Sequence, residues 1–242
     1  MTALHLEWRG LINARDVGGL PVAGGGTIRE RALVRTDSHS YLTADGLLAL
    51  RAYGVSRVVD LRGASECEQW PSPLAGEGHY VNLPVQDPAD PEEERTLAQL
   101  YRGMLDRRPE LFAAALTAIA DAPPGAVVVH CAAGKDRTGL VVALALSLAG
   151  VPDEAIGADY ELSSERLSDR YDELIANAPT DAARDYWQSM RHTPATNITG
   201  ALQHVRAQHG RVASYLEKGG FSASLGEALV TRLVGAGTAV ES

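Results

Sequence analysis

Apolar positions along this chain fall into two patterns. Valine-rich runs at residues 55–61, 79–85 and 126–129 are short and nearly unbroken, as in strands buried on both faces. Shorter strands are predicted at 27–29 and 32–35, after the turn-forming Gly24-Gly25-Gly26. Between these runs apolar residues recur at helical spacing. Helices are predicted at 43–53, with Thr43 as N-cap, at 97–105 and 110–121, split near Pro109, and at 140–149. Beyond Pro152 the pattern is almost wholly helical, at 153–165 (capped by Asp153), 167–176, 181–190, 196–208, 212–218 and 224–233. Strands alternating with helices predict an α/β fold: a mainly parallel central sheet flanked by helices, with a helical C-terminal part. Residues 1–242 are read as one domain. Within it, 159–191 is rich in charge and carries Tyr160, Tyr171, Tyr186 and Trp187. That suits either a surface helical hairpin or a helical lid over a site.

One stretch carries most of the chemistry: His130-Cys131-Ala132-Ala133-Gly134-Lys135-Asp136-Arg137-Thr138-Gly139. It joins the strand at 126–129 to the helix at 140–149. A loop so placed can turn its backbone N–H groups inward, and such a nest, backed by a helix N-terminus, binds a dianion such as phosphate. The same positive field favours a thiolate, the nucleophilic form of cysteine. Arg137 can grip two phosphate oxygens with its planar fork. Cys131 is therefore the candidate nucleophile, and Ala132, Ala133, Gly134, Lys135, Asp136 and Arg137 the candidate phosphate cradle. Together they suit phosphoryl transfer through a phosphocysteine.

The 242-residue chain has a formal charge of −9. This excludes a broad basic surface for nucleic acid. An anionic substrate must find its positive field locally, at Lys135, Arg137 and the loop amides. Two cysteines, Cys67 and Cys131, make neither a disulfide framework nor a zinc ligand set. No metal or other cofactor is implied. Residues 1–10 show no cationic segment followed by an apolar core, and the longest apolar run, 140–150, is too short to span a bilayer. The expectation is a cytoplasmic protein without an integral membrane segment, with signal-independent export left open.

In its form HCAAGKDRTG, the stretch resembles the signature loop of the cysteine-dependent protein tyrosine phosphatase superfamily. It is most similar to the PtpB-like bacterial branch of atypical tyrosine, dual-specificity and phosphoinositide phosphatases. The resemblance extends over nearly the whole chain through Asn13, Arg15, Asp16, Gly18 and Gly19, through Asp60-Leu61-Arg62 with Glu66 beyond, through Ala158-Asp159-Tyr160 with Ser163, and through Gly210-Arg211-Val212, Tyr215-Leu216 and Gly219-Gly220-Phe221. It implies a tyrosine-phosphatase-like fold and a phosphorylated protein or phosphoinositide as substrate. It also implies a general acid on a strand followed by Pro-x-x-Asp, matched by Pro84-Val85-Gln86-Asp87. Asp90 competes on the same loop. Trp70-Pro71-Ser72 imitates the acid loop of the classical members, but serine is no carboxylic acid. Asp136 is a third carboxylate, able to hold the loop, orient water or serve as an acid.

Around these, Thr138 is expected to donate a hydrogen bond to the Cys131 sulfur, to cap the following helix, or both. Arg15, Asp16, Asp60 and Arg62 are expected to form ion pairs near the loop. His130 either supports the thiolate or packs at the strand end. Lys135 resembles a lysine of lipid phosphatases, although Ala132 stands where those often carry a second basic residue. Cys67 is either a spectator on a helix or a trap for oxidised Cys131. The competing readings are an inactive phosphate-binding module and a thiol-dependent sulfur or arsenate enzyme. Sulfur transferases usually lack a Lys-Asp-Arg-Thr ending, and arsenate reduction needs more resolving thiols than Cys67 alone.

Overall fold

A computed structural model describes residues 3–87 and 96–234. A six-stranded sheet lies at its centre, in the order β1-β2-β3-β6-β4-β5. β3 (Leu33–Thr36), β6 (Ala126–His130), β4 (Val55–Asp60) and β5 (Tyr80–Asn82) run parallel. β1 (Leu4–His5) and β2 (Arg15–Asp16) add antiparallel at one side. β6 is buried along its whole length. Val127 and Val129 enter the larger core with Leu33 and Val59, whereas Val128 enters a smaller core with Val34 and Val58. That alternation is the two-residue period of a pleated strand. Both faces are covered, which is why these strands read as unbroken apolar runs.

The helices divide unequally between the faces. α1 (Ala44–Ala52), capped by the Thr43 hydroxyl, joins Trp8 and Leu11 over the smaller core. α2 (Ala64–Gln69) follows β4. The larger core draws on α3 (Leu97–Arg107), α4 (Pro109–Ala120), α5 (Asp136–Leu148), α6 (Asp153–Arg166), α9 (Ala195–His209), α10 (Val212–Lys218) and α11 (Ala223–Val234). Every residue of α5 from Thr138 to Leu148 is buried, as expected of a helix apolar on all sides. α7 (Ser168–Ala176) and α8 (Asp181–Arg191) lie outside that core.

Several boundaries differ from expectation. The strand predicted at 27–29 is reduced to one bridge between Pro21 and Thr27. The run at 79–85 pairs only as Tyr80–Asn82, since Pro84 has no N–H to give a ladder. α5 begins at Asp136 rather than 140, so Asp136, Arg137 and Thr138 belong to its first turn. Pro152, not Asp153, precedes the first turn of α6. Asp159, Tyr160 and Ser163, at the start of the span read as a possible lid, are buried in α6.

Two buried polar groups brace the C-terminal edge of the sheet. Asp159 accepts from Arg15 Nε at 2.8 Å and Arg35 Nη1 at 2.7 Å, all three side chains being almost wholly buried. Burial alone would raise the Asp159 carboxyl, but the two guanidiniums hold it below its usual value. Beside the loop, the rings of His39 and His130 stack with centroids 4.0 Å apart. Burial lowers both: His39 falls well below its ordinary value, and His130 goes from 6.5 to about 4.

Asp159→Asn leaves two buried guanidiniums without a counter-charge, and is expected to cost about 3–5 kcal/mol in urea unfolding. A loss below about 1 kcal/mol contradicts the pairing. The histidines give a pH signature. Between pH 6.5 and 4 the unfolded chain binds protons that the folded chain refuses, so stability falls on acidification. From pH 7 to 5, His130 alone accounts for about 2 kcal/mol. The paired carboxyls Asp60, Glu66 and Asp159 are held below their ordinary values, so they lose their contribution only in more acid solution. Unfolding midpoints at pH 7 and 5 should therefore converge in His130→Gln relative to wild type; an equal slope in both proteins refutes this origin.

Candidate active site

The loop between β6 and α5 is inverted by its surroundings. Its carbonyls are drawn outward one after another. Cys131 O faces His130 Nδ1 at 3.2 Å, and Ala132 O accepts from Ser38 N at 3.0 Å. Asn13 Nδ2 donates to Ala133 O at 2.9 Å and to Gly134 O at 3.2 Å. Arg35 Nη2 donates to Gly134 O at 2.9 Å, and Gly139 N donates to Lys135 O at 2.8 Å. Among the described residues, no N–H of 132–137 donates to another protein group. With their carbonyls pulled away, these amides are available to an anion at the N-terminus of α5. Gly134 is required for the turn. Its φ is +66°, and a Cβ there would lie 2.2 Å from Thr36 O.

Cys131 is a free, buried cysteine at the first position of this cradle. Arg137, in the first turn of α5, is clamped in a bidentate pair with Glu66 of α2, at 2.5 and 2.8 Å. Burial opposes its charge, but Glu66 holds the guanidinium above its ordinary value. Glu66 is itself fixed by accepting from Gly63 N at 3.0 Å. Two of Arg137's five N–H donors are thus used in orientation, leaving three for phosphate oxygens.

Asp136 accepts from Tyr101 OH of α3 at 2.5 Å through Oδ1. Lys135 Nζ stands 3.7 Å from that same oxygen. The lysine side chain is anchored from outside the loop. It is fully buried, donates to Met190 O of α8 at 2.5 Å, and lies 5.1 Å from the centre of the Tyr171 ring. Burial lowers this ammonium from its ordinary value. Lys135 thus gives its backbone to the loop, while its ammonium bonds α8 and still feels Asp136 and Cys131, which oppose that lowering.

Thr138 departs from expectation. It sits third in α5, behind the capping position held by Lys135. Its Oγ1 is buried without a hydrogen-bond partner among the described residues, so it makes no bond to the Cys131 sulfur. Of the expected ion pairs, Arg15 finds Asp159 and Arg62 finds Asp60 at 2.7 Å. Asp16 makes none among the described residues; its carboxylate accepts from Gly18 N, Arg31 N and Tyr53 OH. Cys67 lies on α2, its sulfur 3.7 Å from Asp60 Oδ2. Burial and Asp60 push that thiol up, away from a reactive thiolate. Asp87 follows β5, and its carboxylate is paired with Arg108 at 2.9 Å. Asp90 lies outside the described residues.

A cavity of ≈ 410 Å³ opens against Ala132 and Ala133. Tyr41, Trp70, Leu167, Tyr171, Leu174 and Trp187 line it, the last four from α7, α8 and the turn before them. Arg62 and Arg170 also reach it, but each is paired, Arg62 with Asp60 and Arg170 with the buried Asp37 at 3.2 Å. No described helix is long and apolar enough to cross a membrane. Sequence reading missed Arg35, Ser38 and Tyr101, and placed Glu66 without its partner. Arg35 and Tyr101 had a usable signal: a charged residue ending a buried strand and a phenol on the apolar stripe of α3.

The sequence matches the tyrosine phosphatase family over residues 6–235. It is 31% identical to a tyrosine-protein phosphatase of Nostoc commune, across 85% of this chain and 75% of that protein. It is 27% identical to the triple specificity protein phosphatase PtpB of Mycobacterium tuberculosis, across 95% of this chain and 97% of that one. With a cysteine, an inverted loop and a clamped arginine where the resemblance placed them, the chain belongs to the tyrosine phosphatase family, on its PtpB-like bacterial branch, and is a protein phosphatase.

Proposed function

We propose that this protein hydrolyses phosphotyrosine through a phosphocysteine at Cys131, in a reducing, cytoplasmic setting and without a metal. The observation that carries this reading is the outward capture of the carbonyls of 131–135, which frees the loop amides for the phosphoryl oxygens. In the first step the Cys131 thiolate forms an S–P bond while the P–O bond to tyrosine breaks. Arg137 and the amides balance the charge on the remaining oxygens. The departing oxygen takes a proton from Asp136. In the second step Asp136 takes a proton from water, the water oxygen bonds to phosphorus, and the S–P bond breaks to release phosphate and thiolate.

Asp136 is preferred to Asp87 on position. It lies in the loop itself, next to Arg137, whereas Asp87 is engaged by Arg108. Tyr171, on the cavity wall, is close enough to feel both Asp136 and Cys131: beyond burial, each raises its phenol. Phosphotyrosine is preferred to a polyanionic lipid headgroup because the cavity is walled by aromatic and aliphatic side chains, and its two arginines already hold carboxylates. Dual specificity, extending to phosphoserine or phosphothreonine, and activity on phosphoinositides would require substrates to reach the same sulfur past that wall. α7 and α8 form the candidate lid.

Cys131→Ser is expected to abolish hydrolysis of a phosphotyrosine peptide in the presence of a chelator, while vanadate still binds. Asp136→Asn should lower kcat on that peptide by about 10²–10⁴-fold, with Asp87→Asn close to wild type. A metal requirement, or turnover surviving in Cys131→Ser, overturns the thiolate reading. The reverse order of the two aspartates overturns only the acid assignment. A binding module gives vanadate affinity without turnover in wild type.

A further inference from the structure

Behind Asp136 runs a chain of buried phenols that the reaction as described does not use. Tyr101 of α3 is 0% exposed and Tyr160 of α6 is 1% exposed. Tyr101 OH donates to Asp136 Oδ1 at 2.5 Å, and the two phenol oxygens are 2.5 Å apart. A phenol has one hydrogen to give. Since Tyr101 spends its own on Asp136, Tyr160 must donate to Tyr101. The chain therefore has one direction, from Tyr160 through Tyr101 to Asp136. Burial keeps both phenols above their ordinary values, so each remains a protonated donor rather than a proton carrier.

The direction decides which carboxyl oxygen does what. Oδ1 receives Tyr101 and stands 3.7 Å from Lys135 Nζ. An oxygen already facing two donors is a poor place for a third hydrogen. Oδ2 has no hydrogen bond to the protein among the described residues. We infer that Tyr101, backed by Tyr160, is a positioning residue for the reaction: it fixes Oδ1 as an acceptor, so that the transferable proton of Asp136 rides on Oδ2 and the carboxyl plane is held for the leaving group. This rests on Asp136 being the proton donor. In the step concerned, the proton leaves Oδ2 for the tyrosyl oxygen as the P–O bond breaks and the S–P bond forms, and the carboxylate so produced keeps its bond from Tyr101.

A positioned acid matters most when the leaving oxygen is strongly basic. The test compares phenyl phosphate, a poor leaving group, with p-nitrophenyl phosphate, a good one. In Tyr101→Phe, which removes one oxygen from a buried ring, kcat/KM is expected to fall about tenfold on phenyl phosphate and less than about twofold on p-nitrophenyl phosphate. A general loosening of the fold would lower both alike. Equal losses, or none, overturn the inference. Asp136→Asn is measured in parallel. If it shows no leaving-group bias, the acid assignment itself fails. If it shows the bias and Tyr101→Phe does not, only the positioning role fails. Where Tyr101→Phe does not fold, Tyr160→Phe decides: it keeps the Tyr101–Asp136 bond but removes its backing, so a smaller bias of the same sign supports the inference and an unchanged ratio overturns it.

Discussion

A peptide loop binds an anion only if its amides and carbonyls are sorted to opposite sides, and that sorting has to be held by something other than the anion. Here the outer side is occupied in full. His130, the backbone at Ser38, Asn13, Arg35 and the first turn of α5 each engage a carbonyl between 131 and 135. A typical intramolecular hydrogen bond contributes about 1 kcal/mol net, so several together can maintain a conformation that exposes unpaired N–H groups. Gly134 supplies the one backbone angle that a side chain would forbid. The loop is thus sorted without an anion in place, as the proposed phosphate site requires.

The same requirement explains why an acidic protein buries so many arginines. Arg15 and Arg35 are lodged behind the loop and neutralised by Asp159. Arg62 is neutralised by Asp60, and Arg137 is aimed by Glu66. Each buried cation has a carboxylate, so net positive field is concentrated at the amides and at the unused face of Arg137. Two uncharged histidines stack beneath. Protonating them would add charge next to these arginines, and burial prevents it at neutral pH.

The parts legible in the sequence were those with local causes. The valine run of β6 marked a strand, and Cys131, Gly134 and Arg137 have fixed meanings within one turn of chain. α5 was legible as a helix but not its start, because Asp136, Arg137 and Thr138 look like loop residues until the helix N-terminus is seen to be the anion site. The parts that were not legible depend on residues far apart. Glu66 reaches Arg137 across 71 positions, Asn13 reaches Ala133 across 120, and Tyr101 meets Asp136 from another helix. The path of the Lys135 side chain was hidden for the same reason. Its charge next to the cysteine suggests a phosphate ligand, but its long stem delivers the ammonium to a carbonyl at the end of α8.

The central claim is that the loop is an anion cradle already formed, with Cys131 at its floor. A crystal structure of the protein soaked in tungstate tests it most directly. The account predicts the oxyanion at Cys131, ringed by the N–H groups of 132–137 and bridged by Arg137, with the Asn13 and Arg35 contacts to the loop carbonyls unchanged. Tungstate bound elsewhere, or bound here only after those carbonyls had turned inward and been displaced, would contradict it.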